Sequence, residues 1–519
     1  MTNEFILSRR QTLKAVGAAG FTALVFPNVV RAQGATILRA RSYADIQVLD
    51  PAYRKAAPED DIMRCIFNGL VRRKSADSWE WELDAAESIE QIDAKTIAFK
   101  LRPGIKFSGD FGEITAEDVK FSYERIADPA KESPYKDDWT VLDHVEVKDA
   151  LSGVIHLKEP FAALWTSTLP TGSGLILSKK AVEAAGGKFE TTVPAWSGRY
   201  MIKEWQPKQR TVLVRNPDWT GPQSDFDEIH ILPIEDEKTA ELGFEAGDLD
   251  FTWVSVSSIP RYLKEAPKGG KFVRKPSLAY VWLGMNMESE PFTNPKVRRA
   301  VQHAIDPAAV VDAAYFGAAE PATGIVAPGL AGHRDKTLYG YDPAKAKELL
   351  KEAGMESGFS CTLDILNKIE RANAAQAIQS QLAEVGITVT IQQHDSGTFW
   401  SLGDEKSGDA WKKLQLIVNR FSMQPDPSWA TAWFTPDQIG VWNWERFNNP
   451  EFGELHKQGL VEIDEAKRDE MYKRMQDLME ESGAYVFLTH EAVGIAYRDT
   501  VNPGLQPNGS PNFVDFKKA

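Results

Sequence analysis

The chain has 519 residues, 43% apolar and 26% charged, an ordinary globular composition with a formal net charge of −14. That charge repels the phosphates of nucleic acid and the anionic face of a membrane, so neither is an expected partner. The length exceeds what one simple core supports and predicts two or three lobes.

The N-terminus is read first. Residues 8–14 are Ser-Arg-Arg-Gln-Thr-Leu-Lys, followed by an apolar Gly/Ala-rich stretch from Ala15 to Phe26 and by Val30-Arg31-Ala32. A basic head, a short apolar run and a small-residue cleavage site make a secretory signal. The twin Arg9-Arg10 ahead of Leu13 and Lys14 points to the twin-arginine export route. The apolar run falls short of the ~20 residues a membrane span requires. Cleavage after Ala32 leaves 487 of the 519 residues; it removes Arg9, Arg10, Lys14, Arg31 and Glu4, which takes the net charge from −14 to −17.

Thr36 to Tyr43 reads as a first strand. Thr96 to Leu101 is another, closed by the turn Arg102-Pro103-Gly104. Thr115-Ala116-Glu117-Asp118 is a capping box, and Val119, Tyr123 and Ile126 give the apolar face of the helix it starts. Val145–Val147 and Gly153–Leu157 pair as a hairpin. Arg210 to Arg215 is a strand that turns at Asn216-Pro217. Beyond Tyr280, Asn294-Pro295 and Asp342-Pro343 each cap and start a helix, proline being tolerated at the first helical position. Gly354 ends the second of these. Ala372 to Val385 is a helix stopped by Gly386, and Ile387 to Ile391 alternates as a strand. Asp464 to Glu481 is a long charged helix with Met471, Met475 and Leu478 turned inward. Strand, helix, strand in this order predicts an α/β lobe. Two lobes without a flexible linker predict a hinge and a cleft, where ligand sites concentrate.

The sequence offers little for catalysis. His490-Glu491 lacks the second histidine of a zinc-protease motif, and Gly172-Ser173-Gly174 lacks the first glycine of a nucleophile elbow. Ser133-Pro134-Tyr135-Lys136 has a serine–lysine spacing without its companion motifs, and Gly269-Gly270-Lys271 is far from a phosphate loop. Cys65 and Cys361 are far apart, without a CxxC or metal-ligand spacing, and are expected as buried free thiols. The aromatic content stands out instead: 15 Trp, 13 Tyr and 25 Phe, dense between Trp400 and Phe447. Most of these rings belong in the core; the rest suit the walls of a cleft, giving contact area with polar tips that orient a ligand.

Seven segments carry a resemblance: LRPGIKFSGDFGEITAEDVKFSYER (101–125), PAWSGRYMIKEW (194–205), LVRNPDW (213–219), AGDLD (246–250), PFTNPKVRRAVQHAID (291–306), YDPAKAKELLKEAG (341–354) and IQSQLAEVGITVTI (378–391). In order and number they resemble the family 5 extracellular solute-binding proteins, over the whole mature chain. The departure is at Ser108 to Glu113, longer and scrambled against the family's usual pattern. The resemblance implies an α/β periplasmic-binding-protein fold with two lobes around a ligand cleft. The first lobe would comprise 33–75, an inserted subdomain over 76–189, 190–286 and a return over 487–519; the second lobe would be 287–486. It further implies a non-catalytic, periplasmic, monomeric protein without a cofactor. Such a protein captures a small polar solute by lobe closure and delivers it to the permease and ATPase of an ABC importer, or, loaded, signals to a membrane sensor.

Candidate ligand contacts follow from the resemblance and the aromatic run. In the first lobe they are Tyr43, after the first strand, and Glu59, which matches a proline–acid pattern of peptide-binding members. Trp282 and Asn286 lie just before the lobe boundary, the first lobe ending at 286. In the second lobe they are Trp400, Arg420, Phe421, Met423, Trp442 and Trp444. Arg420 is either a surface ion pair or a planar clamp on a ligand carboxylate. Peptide-binding relatives hold the ligand's ammonium with an acid four residues before a proline. Counting back from Pro427 reaches Met423, which is neutral. The expected solute is therefore an opine-like sugar–amino acid conjugate or a small oligosaccharide, with peptides or a metal chelate as the alternative.

Overall fold

The structure, a computed structural model, describes residues 35–519; the expected export signal lies outside the described residues. Eleven strands form one continuous sheet. Across it run Tyr200–Gln206, Arg210–Arg215, Glu228–Pro233, Ile37–Ser42, Phe251–Val254, Tyr485–Arg498, Gly270–Met285, Leu416–Ser422, Phe359–Leu366 and Ile387–His394, with Glu320–Pro321 paired beside Tyr485–Arg498. Ile37–Ser42 is parallel to both Glu228–Pro233 and Phe251–Val254. Phe359–Leu366 is parallel to both Ile387–His394 and Leu416–Ser422. Between these two parallel sets run the long antiparallel strands Gly270–Met285 and Tyr485–Arg498. Pro276 has no N–H to give the ladder, and the register slips between Pro276 and Tyr280.

Alternation along the strands divides the packing between the two faces of the sheet. Val281, Leu283 and Val418 join one buried cluster, while Tyr280, Trp282 and Phe421 join another. A third cluster unites Leu38, Ala40 and Ile229 with a separate four-stranded antiparallel sheet. That smaller sheet orders Ala86–Asp93, Thr96–Leu101, Ser152–Leu157 and Leu142–Val147, the last two being the expected hairpin.

The helix starts follow the sequence. The Asp118 carboxylate accepts from the Thr115 amide at 3.0 Å and the Thr115 hydroxyl at 2.7 Å, opening the helix Ala116–Ala127. Asn294 and Asp342 cap Pro295–Ala304 and Pro343–Glu352 through their side chains. The helix expected from Ala372 begins at Ile369. Its first turn was hidden because Arg371, a charged residue, occupies the buried face. In the helix Glu465–Glu481 the expected inward Met471 is only half-buried, and the fully buried Tyr472 takes that place beside Met475 and Leu478. Cys65 and Cys361 are buried and unpaired. Burial pushes the Cys361 thiol up to about 12, so it is inert as a nucleophile.

Candidate functional site

The carboxyl ends of the parallel strands in both halves of the sheet open into a cleft of about 420 Å³. In α/β sheets this is where ligands bind. Glu237 and Val256, just after Glu228–Pro233 and Phe251–Val254, line one side; Leu366, Lys368, Trp400 and Arg420 line the other.

An ion network fills the floor. Arg420 Nε donates to Glu491 Oε2 at 3.0 Å, and Arg371 Nη2 donates to Glu491 Oε1 at 2.6 Å. Arg371 Nη1 also donates to the Tyr315 hydroxyl at 2.6 Å, and that hydroxyl donates to Glu491 Oε1 at 3.2 Å. Burial would raise the Glu491 carboxyl, but Arg371 and then Arg420 hold it below the usual range. Arg371 is buried, whereas the Arg420 side chain is 44% exposed and reaches the cleft. The three residues Arg371, Glu491 and Arg420 carry one net positive charge, which favours an anionic group at Arg420; with Lys368 against Glu237 and Glu370 the cleft lining as a whole is balanced.

Beside the network stands an aromatic wall. Trp400 is half-buried and stacks on Phe421 with ring centroids 6.2 Å apart. Trp442 meets Phe421 edge-on at 6.0 Å, and Trp433 lies 5.8 Å from the same ring. The indole N–H of Trp433 has no partner among the described residues.

Strand pairing adds a third feature. Phe359–Leu366 pairs with Leu416–Ser422 only as far as Val418. On the other side, pairing with Gly270–Met285 continues to Ser422. From Asn419 onward one edge of this strand therefore has no strand partner among the described residues. The Asn419 carboxamide oxygen covers the Arg420 amide at 2.8 Å, while its buried Nδ2 has no partner among the described residues.

Of the expected contacts, Trp400 and Arg420 line the cleft. Phe421 and Trp442 belong to the wall behind it. Tyr43 is 46% exposed and lies outside the cleft lining. Five others need correction, Met423 among them. Both Glu59 oxygens are spent on backbone amides, Oε1 on Gln47 and Val48 and Oε2 on Lys55 and Ala56. With four donors on a carboxylate's roughly four lone-pair sites, none remains for a ligand. Trp282 is buried with its N–H on Glu445 Oε1 at 2.8 Å. The Asn286 amide is consumed by the Leu414 and Trp411 carbonyls. Trp444 is buried, donates to the Val441 carbonyl at 3.0 Å, and packs where a Cβ on Gly403 would fall 2.2 Å from its ring. Sequence reasoning missed Asn419, Arg371 and Glu491, whose spacing carries no motif; Trp433 was visible only as one more ring in the aromatic run.

Among the described residues no group of three or more His, Cys, Asp or Glu is placed to hold a metal ion. No helix among them is long and apolar enough to cross a membrane.

Two lobes joined by crossing strands around such a cleft are the architecture of a periplasmic-type binding protein. The profile of the bacterial extracellular solute-binding proteins, family 5 (middle region), matches residues 80–440. The glutathione-binding protein GsiB of Escherichia coli (strain K12) is 29% identical over 430 residues, 82% of this chain and 83% of that protein. HbpA2 from Haemophilus parasuis shares the fold with a TM-score of 0.82 at 22% identity, over 93% of this chain and 100% of that one. The periplasmic binding protein DppA from Helicobacter pylori, in complex with the peptide STSA, does so at a TM-score of 0.69 and 23% identity, over 93% and 98%. The chain belongs to the family 5 bacterial extracellular solute-binding proteins. It is an exported, non-catalytic component that works with the membrane permease and ATPase of an ABC importer.

The expected solute class is corrected. Curated relatives that match over most of the chain include glutathione-binding proteins, which overturns the sugar-conjugate and oligosaccharide expectation. That expectation rested on one neutral position. Met423 is in fact packed in the core, its amide bonded to the Leu278 carbonyl. Asp426 is fully buried and spent on Arg468, Ser428 and Thr166. Other acids, Glu237 and Glu370 among them, line the cleft, so one missing carboxylate does not select against peptides.

Proposed function

We propose that this protein captures a small peptide-like solute of the glutathione kind and holds it between closing lobes for import. The observation that carries the reading is the unpaired strand edge beyond Val418, flanked by Arg420 and Trp400. A free edge offers backbone donors and acceptors at the spacing of amide groups, which a peptide-like ligand matches by adding to the sheet. Arg420 takes a ligand carboxylate, and Trp400 supplies apolar contact area. The glutathione-binding relative supports the class of solute. The lobe boundaries at 287 and 487, the contact residues Trp400, Arg420, Phe421 and Trp442, the monomeric state and the twin-arginine route belong to this same proposal.

The test is calorimetry on the mature protein with reduced and oxidised glutathione and a di- and tripeptide panel. Binding that weakens about tenfold or more, ~1.4 kcal/mol, in Arg420→Ala and less in Arg420→Lys is the expected result. No measurable binding to any of these solutes would overturn it.

A further inference from the structure

Besides the crossing strands, the lobes are tied at a second place. Arg73, buried at the end of the strand Val71–Arg73, donates to the backbone carbonyls of Trp79 and Thr166. Both acceptors sit on segments that touch the second lobe. Trp79 packs against the second-lobe cluster containing Val326 and Leu330. Thr166 lies in the turn Leu164–Thr168, whose Leu164 belongs to the first-lobe core. The Thr166 hydroxyl donates to Asp426 Oδ2 at 2.5 Å. Asp426 caps the short helix Pro427–Thr431, and its Oδ1 accepts from Arg468 Nη2 at 2.7 Å. Arg468 Nε donates to the Gly459 carbonyl at 2.8 Å. At the next carbonyl, Leu460, the Ala162 amide arrives from the first lobe at 3.0 Å. Arg468 thus braces both second-lobe acceptors, Asp426 directly and Leu460 through its neighbour.

We propose that Arg73, Thr166, Asp426 and Arg468 form an interlobe latch that sets the balance between open and closed forms of the empty protein. Its second-lobe half is complete within that lobe: Asp426 is neutralised by Arg468 whether or not Thr166 is present. Separating the lobes therefore breaks the Thr166 and Ala162 bonds without leaving a buried charge unpaired, which keeps the latch reversible. If the Thr166 and Ala162 bonds are lost when the lobes part, they raise the population of the closed form and lower the apparent Kd by the same factor. This inference rests on the proposed lobe motion but not on the identity of the solute.

The test uses the empty mature protein. Thr166→Val removes the donor at nearly constant volume; Thr166→Ser keeps it. Thr166→Val is expected to enlarge the radius of gyration in solution scattering and to speed hydrogen exchange at the Ala162 amide. Amides of the strand Thr96–Leu101 should be unaffected, and Thr166→Ser should behave as wild type. Affinity for glutathione should fall about three- to tenfold in Thr166→Val. Unchanged scattering and unchanged Ala162 exchange in Thr166→Val would overturn the latch. Should that variant not fold, wild-type exchange decides: Ala162 exchanging well before Thr96–Leu101 supports an opening latch, and exchange together with them overturns it. A latch that responds while glutathione fails to bind keeps this inference and removes the solute reading.

Discussion

Trp400 and Trp444 belong to the same aromatic run, their ring centroids 6.0 Å apart, and have different roles. Trp400 is half-buried on the cleft, so Trp400→Ala should weaken solute binding about tenfold and cost less stability than the same change at Trp444, read by calorimetry and thermal unfolding. Trp444 is walled in against Gly403, so Trp444→Ala should cost about 3–5 kcal/mol of stability, measured by denaturant unfolding. Glu445 lies behind the aromatic wall. Burial raises its carboxyl to about 7, despite the bond from Trp282. The folded protein therefore holds a proton that the unfolded chain releases at the ordinary carboxylate pKa. Stability from this group is present below that ordinary value and is lost as the pH rises through about 7, by about 3 kcal/mol at most. Asp61 is raised into the same window by burial, so the difference between wild type and Glu445→Gln isolates the effect. The neutral amide keeps an acceptor for Trp282, and the variant should gain stability relative to wild type between about pH 5 and pH 8.

At the scale of elements, the helix Ala116–Ala127 shows what a cap contributes. Asp118 serves Thr115 through one oxygen and the Lys179 amide, at the start of another helix, through the other. Asp118→Ala should lower stability by about 1–2 kcal/mol, at the upper end of capping effects because two helix starts lose a partner. Thermal unfolding measures it, and solute affinity should not change, since the helix packs in the first-lobe core away from the cleft lining. The unpaired strand edge is also a property of an element. Exposed edges invite pairing with other chains, and here Asn419 covers one amide of that edge with its own side chain.

For the whole molecule, binding and export are the testable behaviours. Ligand that bridges both lobes favours the closed form, so glutathione should reduce the radius of gyration in solution scattering and raise the unfolding temperature. A radius unchanged at saturation would count against closure. Replacing Arg9 and Arg10 together with lysine should leave the precursor in the cytoplasm, read by fractionation and immunoblot. A mature periplasmic product at normal level would exclude the twin-arginine route.

The sequence by itself determined the elements and the family. Helix starts at Thr115, Asn294, Asp342 and Asp464 are local chemistry, a side-chain oxygen meeting free amides within three residues, and so are legible in a short window. The seven segments from 101 to 391, in their order and number, were enough for the class of protein. Local windows failed where charge is buried. Arg371 sits on an inner helix face only because Glu491, 120 residues later, is there to neutralise it. The same reason separates the site residues. Aromatic density singled out Trp400 and Trp444 equally, and which ring faces the cleft was decided by Gly403 opening space for one of them. Glu59 looked like a ligand contact in its motif, yet the chain folds four backbone amides around it. Only tertiary structure decided where the strand Leu416–Ser422 loses its neighbour, where the lobes are tied, and which charges remain open to a solute. Those outcomes depend on the meeting of segments hundreds of residues apart, and no period or spacing along the chain records them.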